Sequence, residues 1–424
     1  MGDKIYGLLG GQLGHSWSVP IHQALGCEDY RLIELEPEEL GLFLAREDIG
    51  GLNVTIPYKR DVMPFCDVID EEARAIGSVN TLVRREGRLY GYNTDIEGFY
   101  YMLHRANICL KGKKVVILGS GGASLTAQTA AKRDGAREIV VISRSGPDNY
   151  ENLSRRHADA QVLINTTPVG MWPNMAGRPV DLTCLPRLEA VADVIYNPGR
   201  TDLLLQAEEL GLRCTGGLPM LAAQAVGAEE RFFAETIPGD EFAASIPDDE
   251  TEKIVSQLWR ERTNLVLTGM PGCGKTTVGR ALADLSGRPL VDLDGEIVRR
   301  AGRSIPEIFA REGEEAFRNL ESQVLAEACA GHGQIIATGG GAVLREENRA
   351  ALRRSGRVYF LHRGLEKLPV AGRPLSQGKD LSEMYRLRLP FYRAAADVET
   401  DNDQNSPEET ARVIWRDFCA YSGD

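Results

Sequence analysis

Paired cysteines are missing from this 424-residue sequence. Its eight cysteines stand singly at 27, 66, 109, 184, 214, 273, 329 and 419, with no C-x-x-C among them. Such spacing builds neither a zinc knuckle nor a disulfide frame, and reduced thiols in the cytoplasm are expected. Positive charge is also short: 49 Lys and Arg against 61 Asp and Glu leave a net charge of -12. That balance argues against nucleic acid or an anionic membrane as partner and leaves small molecules. No apolar run approaches the roughly 20 residues that span a bilayer. The chain runs straight into Ile5-Tyr6-Gly7-Leu8-Leu9 without a basic-then-apolar leader, and Tyr6 breaks the myristoylation pattern. What is present is ordinary globular material, 43% apolar and 26% charged, enough for sizeable cores in two or three domains.

The most specific stretch lies past the middle. Asn264-Leu265-Val266-Leu267-Thr268 reads as a buried strand, and Val278–Ala283 opens a helix. Between them Gly269-Met270-Pro271-Gly272-Cys273-Gly274-Lys275-Thr276-Thr277 matches the P-loop pattern G-x-x-x-x-G-K-[ST] in its required strand–turn–helix context. Successive backbone N–H groups from Gly272 to Thr277 and the helix dipole would cradle phosphates. Lys275 adds a mobile charge for the β/γ-phosphates, and the Thr276 hydroxyl can ligate Mg²⁺. A P-loop follows the first strand of its own domain, so the residues before about 263 form something else.

That earlier part offers polar groups at strand ends. Ser16 and Ser18, spaced i and i+2, share one side of an extended segment and can reach one small polar ligand. Standing alone they read more simply as a turn capping the helix near Pro20, and His15 reads as structural. Gly51–Lys59 is a strand ending at Pro57 that delivers Asn53, Thr55 and Lys59. Gly77–Val83, with Asn80, leads through a hairpin at Glu86-Gly87-Arg88 to Asn93-Thr94-Asp95. Together they suggest a polyol pocket with one Lys–Asp pair, Lys59 and Asp95. Such a pair suits chemistry at an alcohol or ketone, the Lys giving a proton to a developing alkoxide.

At residues 114–118 the pattern changes. A buried strand, the loop Gly119-Ser120-Gly121-Gly122-Ala123-Ser124, a helix over 125–133 and a second strand over 138–142 make the βαβ opening of a dinucleotide fold. Ser124 replaces the third glycine of G-x-G-x-x-G. The second strand ends in Ser143-Arg144-Ser145, without the acidic residue that would hold an NAD ribose. A cation among hydroxyls suits a 2′-phosphate, which predicts NADP(H). Asn165–Met171 and Asp193–Pro198 follow two further strands and belong at the carboxyl edge, where the nicotinamide would lie.

In this order, Ser16-x-Ser18, Asn53–Lys59, Asn93-Thr94-Asp95, Gly119–Ala123, Asn165–Met171 and Gly217-Leu218-Pro219-Met220-Leu221-Ala222-Ala223-Gln224 resemble shikimate dehydrogenase over residues 5 to about 235. The resemblance implies that Ser16, Ser18, Thr55, Asn80, Asp95, Tyr196 and Gln224 bind shikimate. Lys59 would be the catalytic acid/base with Asp95 beside it. Gly119, Ser120, Gly121, Gly122 and Ala123, with Ser143, Arg144, Val194 and Gly217, would line NADP. Three departures stand out. Val19 intervenes before Pro20, which can shift the helix start. Only about twenty residues separate Arg144 from Asn165, too few for a strand and a full helix. Pro219 stands where glycine is common.

Residues 238–252 are acidic and proline-containing, as in an exposed connector, and Lys253–Glu261 has the pattern of a short helix. After the P-loop helix, Leu290–Asp294 reads as a strand carrying Asp292 and Asp294 on one side. One carboxylate would serve Mg²⁺ and the other the attacking hydroxyl. Gly313–Glu321 is a helix bearing Arg318, either a carboxylate clamp or a surface ion-pairing residue. Gly339-Gly340-Gly341 follows a strand, Arg373-Pro374-Leu375 comes next, and a further helix carries Arg388-Leu389-Pro390-Phe391-Tyr392. In this order the motifs resemble shikimate kinase over essentially all of 263–420. By that resemblance Asp294, Arg318, Gly340 and Arg388 hold shikimate, with Asp294 in the catalytic set. Lys275 and Arg373 bind and neutralise phosphate, and Thr276 with Asp292 serves Mg²⁺. Asp292 and Asp294 both stand as candidates for assisting deprotonation of the hydroxyl. The stretch from Leu361 to Arg373 is short for the family and is read as lacking the extra Arg that covers adenine; Ser376 replaces a common Leu.

The expected architecture is α/β throughout: a substrate-binding domain over 1–101, then a Rossmann-like NADP domain over 102–237 whose last helix returns to the first. A linker over 238–262 and a P-loop, NMP-kinase-like domain over 263–424 complete it. The expected function is two consecutive steps of aromatic biosynthesis, NADPH-dependent reduction of 3-dehydroshikimate and ATP-dependent phosphorylation of shikimate. The alternative is a shikimate/quinate dehydrogenase whose second domain only senses nucleotide; intact Lys275, Thr276, Asp294 and Arg318 weigh against it.

Overall fold

The computed structural model describes residues 4–14, 16–234, 248–368 and 381–421. His15, Arg373, Ser376 and the first part of the expected connector lie outside the described residues. Three sheets follow one another along the chain. The first is mixed and six-stranded: β1 (Ile5–Gly10), β2 (Arg31–Glu34), β3 (Ile49–Val54), β4 (Val68–Ile69), β5 (Thr81–Arg85) and β6 (Arg88–Tyr92). Its order is β2-β1-β3-β5-β6-β4, with β1 parallel to β2 and β3 and antiparallel pairing from β3 through β5 to β6. The hairpin turns where expected, between Arg85 and Arg88. Four helices accompany this sheet: α1 (Ser18–Ala24), α2 (Leu40–Leu44), α3 (Glu71–Ile76) and α4 (Asp95–Arg105).

The second sheet is wholly parallel: β7 (Lys114–Leu118), β8 (Glu138–Ile142), β9 (Val162–Asn165), β10 (Ala190–Asp193) and β11 (Arg213–Thr215). The order β11-β10-β9-β7-β8 puts a switch point between β7 and β9, where ligands of doubly wound sheets bind. Its helices are α5 (Gly122–Arg133), α6 (Leu153–Arg156) and α7 (Asp202–Glu209). The apolar run of β7 is buried on both faces, as a central parallel strand must be. Val115 and Ile117 enter one core with Phe99, Met102 and Ala127, while Val116 and Leu118 enter another with Leu203 and Leu204. The short passage from Arg144 to Asn165 has room only for the single turn of α6.

From this sheet α8 (Leu218–Phe233) runs back to pack on α4, tied by an ion pair of Arg231 with Glu97 at 2.5 Å. The expected connector differs from its sequence reading. From Asp248 it is α9 (Asp248–Arg262), a docked helix and no exposed strand of chain. The i, i+4 spacing of Ile254 with Leu258 gives it an apolar face, which packs with Val255 against Trp17, Ile21, Ala222 and Ala225. Glu252 anchors its start, accepting from the Tyr101 hydroxyl at 2.5 Å and the Arg105 Nε at 2.7 Å.

The third sheet is parallel in the order β13-β14-β12-β15-β16. Its strands are β12 (Asn264–Thr268), β13 (Leu290–Asp292), β14 (Ile335–Ala337), β15 (Gly356–His362) and β16 (Val398–Asp401). Around it lie α10 (Lys275–Ser286), α11 (Leu293–Ala301), α12 (Ile305–Ala330), α13 (Glu346–Ser355), α14 (Leu381–Ala395) and α15 (Pro407–Ala420). A non-helical Gly313 breaks α12. This body docks on the second: Arg200 grips Asp397 with two bonds, at 2.7 and 3.0 Å, and donates to the Gly356 carbonyl at 2.7 Å. Arg353 with Glu209 and Arg354 with Asp202, both at 2.5 Å, join α13 to α7. Among the described residues no helix is long and apolar enough to cross a membrane.

Candidate functional sites

The first site forms where the two N-terminal bodies meet. A cavity of about 220 Å³ is lined by Ser16, Ser18, Thr55, Lys59, Asn80 and Asp95 from one side. Ala123, Val194, Tyr196, Gly217 and Gln224 close it from the other. Ser16 and Ser18 do converge, Oγ to Oγ at 3.0 Å. They do so through a turn and not an extended segment, because α1 already starts at Ser18, two residues before Pro20. Asp95 opens α4, where the positive end of the helix dipole favours a carboxylate. Lys59 Nζ donates to Asp95 Oδ2 at 2.5 Å, and Asn80 Nδ2 donates to Asp95 Oδ1 at 3.0 Å. Asn80 is itself fixed, accepting from the Thr94 backbone N–H at 2.7 Å. One ammonium is therefore pointed by a carboxylate into a ring of hydroxyl and amide groups. Asn53, Met220 and Leu221 also line the cavity. Asn53 is where its strand-end position placed it, whereas Met220 and Leu221 belong to the 217–224 motif with no pocket role assigned from sequence.

Beside this cavity the Gly119–Ala123 loop ends β7 at the switch point. Gly121 caps α5 without a side-chain bond, so the first-turn N–H groups remain for an anion. Ser124, in place of the third glycine, is fully buried and takes a hydrogen bond from Gln128 at 3.0 Å. Ser143 and exposed Arg144 stand at the end of the neighbouring strand β8. The donor set fits a phosphorylated dinucleotide. Gly217 must be glycine here, since a Cβ would lie 2.1 Å from the Val194 carbonyl oxygen.

Asp193, just before Val194, is fully buried and accepts from Thr201 Oγ1 at 2.7 Å, Asn165 Nδ2 at 3.0 Å and the Ile195 N–H at 3.1 Å. Burial pushes its carboxyl up from 3.8 to about 7, and the three donors only partly offset this. A raised acid favours the fold in its protonated form. The contribution is complete below about 3.8 and is lost as pH climbs to about 7. The melting midpoint should carry a decline from this group between pH 4 and 7. Asp193→Asn, neutral at every pH, should flatten it; an unchanged slope in melts of the variant would rule the assignment out.

The second site surrounds the P-loop. A cavity of about 600 Å³ is lined by Gly272, Gly274, Lys275, Thr276 and Thr277, with Asp294, Arg318, Gly340 and Arg388 across from them. The loop can wrap an anion because Gly274 takes φ +101°, which an L side chain resists. Cys273 contributes backbone only, its side chain being buried and its carbonyl held by Asn402 Nδ2 at 2.7 Å. Lys275 Nζ donates to the Gly269 and Met270 carbonyls at 2.9 and 3.0 Å.

The two aspartates are separated by secondary structure. The strand reading over Leu290–Asp294 needs correction: β13 stops at Asp292, whose side chain caps α11. Asp292 accepts from Thr276 Oγ1 at 2.9 Å, a hydroxyl–carboxylate pair of the kind a hard cation takes. Asp294, inside the first turn of α11, lines the cavity. Arg318 is no surface residue: it is buried and pairs with buried Glu321 at 2.6 Å. Burial raises the Glu321 carboxyl above its ordinary range despite Arg318. Arg388 Nη1 donates to the Gly340 carbonyl at 3.1 Å, and Tyr392 donates to the same oxygen at 2.5 Å. Glu321, Thr338 and Arg363 line the cavity without having been assigned from sequence. Arg363 also corrects the lid reading, for it supplies a cation between Leu361 and Arg373.

Comparisons with known proteins divide along the same lines. The profile of the shikimate dehydrogenase substrate-binding domain matches residues 8–82, and that of shikimate kinase matches 271–418. The NADP(+) shikimate dehydrogenase of Clostridium beijerinckii is 37% identical over 247 residues, covering 54% of this chain and 91% of its own. Among solved structures, a chorismate mutase/shikimate 5-dehydrogenase fusion protein from Clostridium acetobutylicum is 36% identical with a TM-score of 0.55. It covers 60% of this chain and 96% of its own. A shikimate dehydrogenase solved in complex with NADP+ is 29% identical with a TM-score of 0.50, over 60% of this chain and 95% of its own.

Proposed function

The chain belongs to the shikimate dehydrogenase family and carries a shikimate kinase domain behind it, and from that premise we propose how its two halves work. It is a bifunctional enzyme of the shikimate pathway, NADP-dependent in its first half and ATP-dependent in its second. By our reading the first half runs to Arg262, taking in α9, and the second begins at Thr263. The eight unpaired thiols support work in a reducing compartment.

In the first half 3-dehydroshikimate occupies the 220 Å³ cavity. Ser16, Ser18, Thr55, Asn80, Tyr196 and Gln224 hold its polar groups. Gly119–Ala123 would hold NADPH and Arg144 would meet its 2′-phosphate, and the cofactor would supply the hydride for the ketone carbon. Lys59 gives a proton to the oxygen as the C=O becomes C–OH, and takes one back from solvent. Asp95 keeps that ammonium aimed and touches the substrate. The observation that carries this reading is the Lys59–Asp95 bond at 2.5 Å inside a cavity whose other described lining residues are all uncharged.

In the second half Arg318 and Arg388 take the shikimate carboxylate, Gly340 lets it approach the backbone, and Asp294 faces the 3-hydroxyl. ATP supplies the phosphoryl group and Mg²⁺ the offsetting charge; Thr276 and Asp292 are the residues that would hold the metal. Lys275, with Arg373 from outside the described residues, neutralises the phosphates. The hydroxyl phosphorylated here is the one made in the first half, so the two reactions are chemically consecutive.

One coupled assay tests both halves. Purified chain with 3-dehydroshikimate, NADPH and MgATP should yield shikimate 3-phosphate. NADPH oxidation should depend on 3-dehydroshikimate and ATP consumption on shikimate, and chelating Mg²⁺ should stop only the latter. ATP consumption indifferent to shikimate would reject the kinase assignment.

A further inference from the structure

Tyr196 lines two cavities: the substrate cavity, and a smaller one at the seam between the halves that also holds Trp17, Arg262 and His332. Trp17 sits between the two pocket serines and is itself buried. It meets Tyr196 edge-on, with ring centroids 5.1 Å apart and planes at 60°. Its other contacts come from beyond the pocket. His332 meets the indole edge-on at 5.9 Å and 85°, and the Arg262 guanidinium lies over it at 5.4 Å. His332 stands on the loop between α12 and β14, well inside the kinase half, and the adjacent Gly333 N–H donates to the Arg262 carbonyl at 3.2 Å. The Arg200–Asp397 and Arg200–Gly356 contacts fasten the same half to the turn just after Tyr196. The kinase half therefore touches both sides of the dehydrogenase pocket, Trp17 on one and the Tyr196–Arg200 turn on the other.

We propose that the kinase half braces the dehydrogenase's substrate pocket through His332; His332 and Arg262, the last residue of the first half, are positioning residues that hold Trp17 and, through it, Ser16, Ser18 and Tyr196. The proposal rests on the functional reading of the first half. None of these contacts reaches the glycine loop that would seat the dinucleotide phosphates, so the larger effect falls on the ketone substrate. An edge-on aromatic contact or a cation over a ring is worth about twofold to tenfold in an equilibrium constant.

The test is steady-state kinetics on the full-length chain carrying Arg262→Ala and His332→Ala together. KM for 3-dehydroshikimate should rise about threefold to tenfold. The dehydrogenase kcat, the KM for NADPH and both kinase constants should stay within about twofold of wild type, a split that general loosening does not produce. His332→Phe, which keeps an aromatic edge, should retain the wild-type KM. Should the double variant fail to fold, His332→Ala alone, at a largely exposed position, makes the same comparison. An unchanged KM for 3-dehydroshikimate, a parallel rise for NADPH, or a His332→Phe variant as impaired as His332→Ala would each overturn the brace. Wild-type chain that oxidises no NADPH with 3-dehydroshikimate would instead remove the functional reading beneath it.

Discussion

Lys59→Ala is expected to lower kcat for NADPH oxidation by about 10²- to 10⁴-fold, the span of a lost general acid. Among the described residues it is the only ammonium lining its cavity, and Asp95 and Asn80 surround it as a positioning chain. Its removal leaves Asp95 with the Asn80 bond and the helix N-terminus, so the carboxylate keeps partners and the pocket keeps its shape. KM for NADPH should therefore change little. Phosphorylation of added shikimate should proceed at the wild-type rate, because the second cavity shares no lining residue with the first. A loss below tenfold in kcat, measured by absorbance at saturating substrate, would move proton donation to another group.

The complementary result is expected for Lys275→Met. Methionine keeps the length and most of the volume of the stem while removing the charge, so the buried position stays filled. Losing one preorganised cation at a transferring phosphoryl group costs about 10²- to 10³-fold in kcat. Lys275 Nζ donates to the Gly269 and Met270 carbonyls. A polyanion has to draw it away from them, which only a full charge on the ligand would favour. Nucleotide affinity should thus fall together with kcat, while reduction of 3-dehydroshikimate is unaffected. Phosphate transfer retained within tenfold would show that the loop's backbone donors suffice and that Lys275 is dispensable.

Much of this was legible in the residues because local pattern and tertiary role agreed. β7, β8 and β12 appear at the bounds read from their apolar runs, each closed by glycine or polar residues. The shortened passage after Arg144 was readable from length alone. Lys59 and Asp95, thirty-six positions apart, could be paired only by chemistry and family likeness, since periodicity says nothing over that distance. The misreadings arose where a side chain outvoted the run it stood in. Leu290–Asp294 looks like a strand until Asp292 bonds the Gly295 N–H and starts a helix two residues early. Arg318 was not among the misreadings: family likeness assigned it to substrate, whereas pattern alone also fits an exposed helical arginine, because the burial of Glu321 beneath it depends on elements far away in sequence. Arg363 directly follows β15, and its place on the cavity is set by where that strand ends in the sheet, which local pattern does not give. In α9, acidic residues at the start suggested a solvated connector, and the apolar face begins only at Ile254.

The Arg200–Asp397 pair settles how the two enzymes are assembled. Both side chains are about seven-eighths withdrawn from water, 13% and 14% exposed. Charges so withdrawn add little net strength when matched and are heavily penalised when left alone. A mutual arrangement of the halves that buried either one without the other would be penalised, so the pair disfavours those alternatives. Neutralising either one would abolish that preference, and exchanging the two would not restore it, because a carboxylate at 200 would face the Gly356 carbonyl and Glu208 while a guanidinium at 397 would face the Val358 N–H.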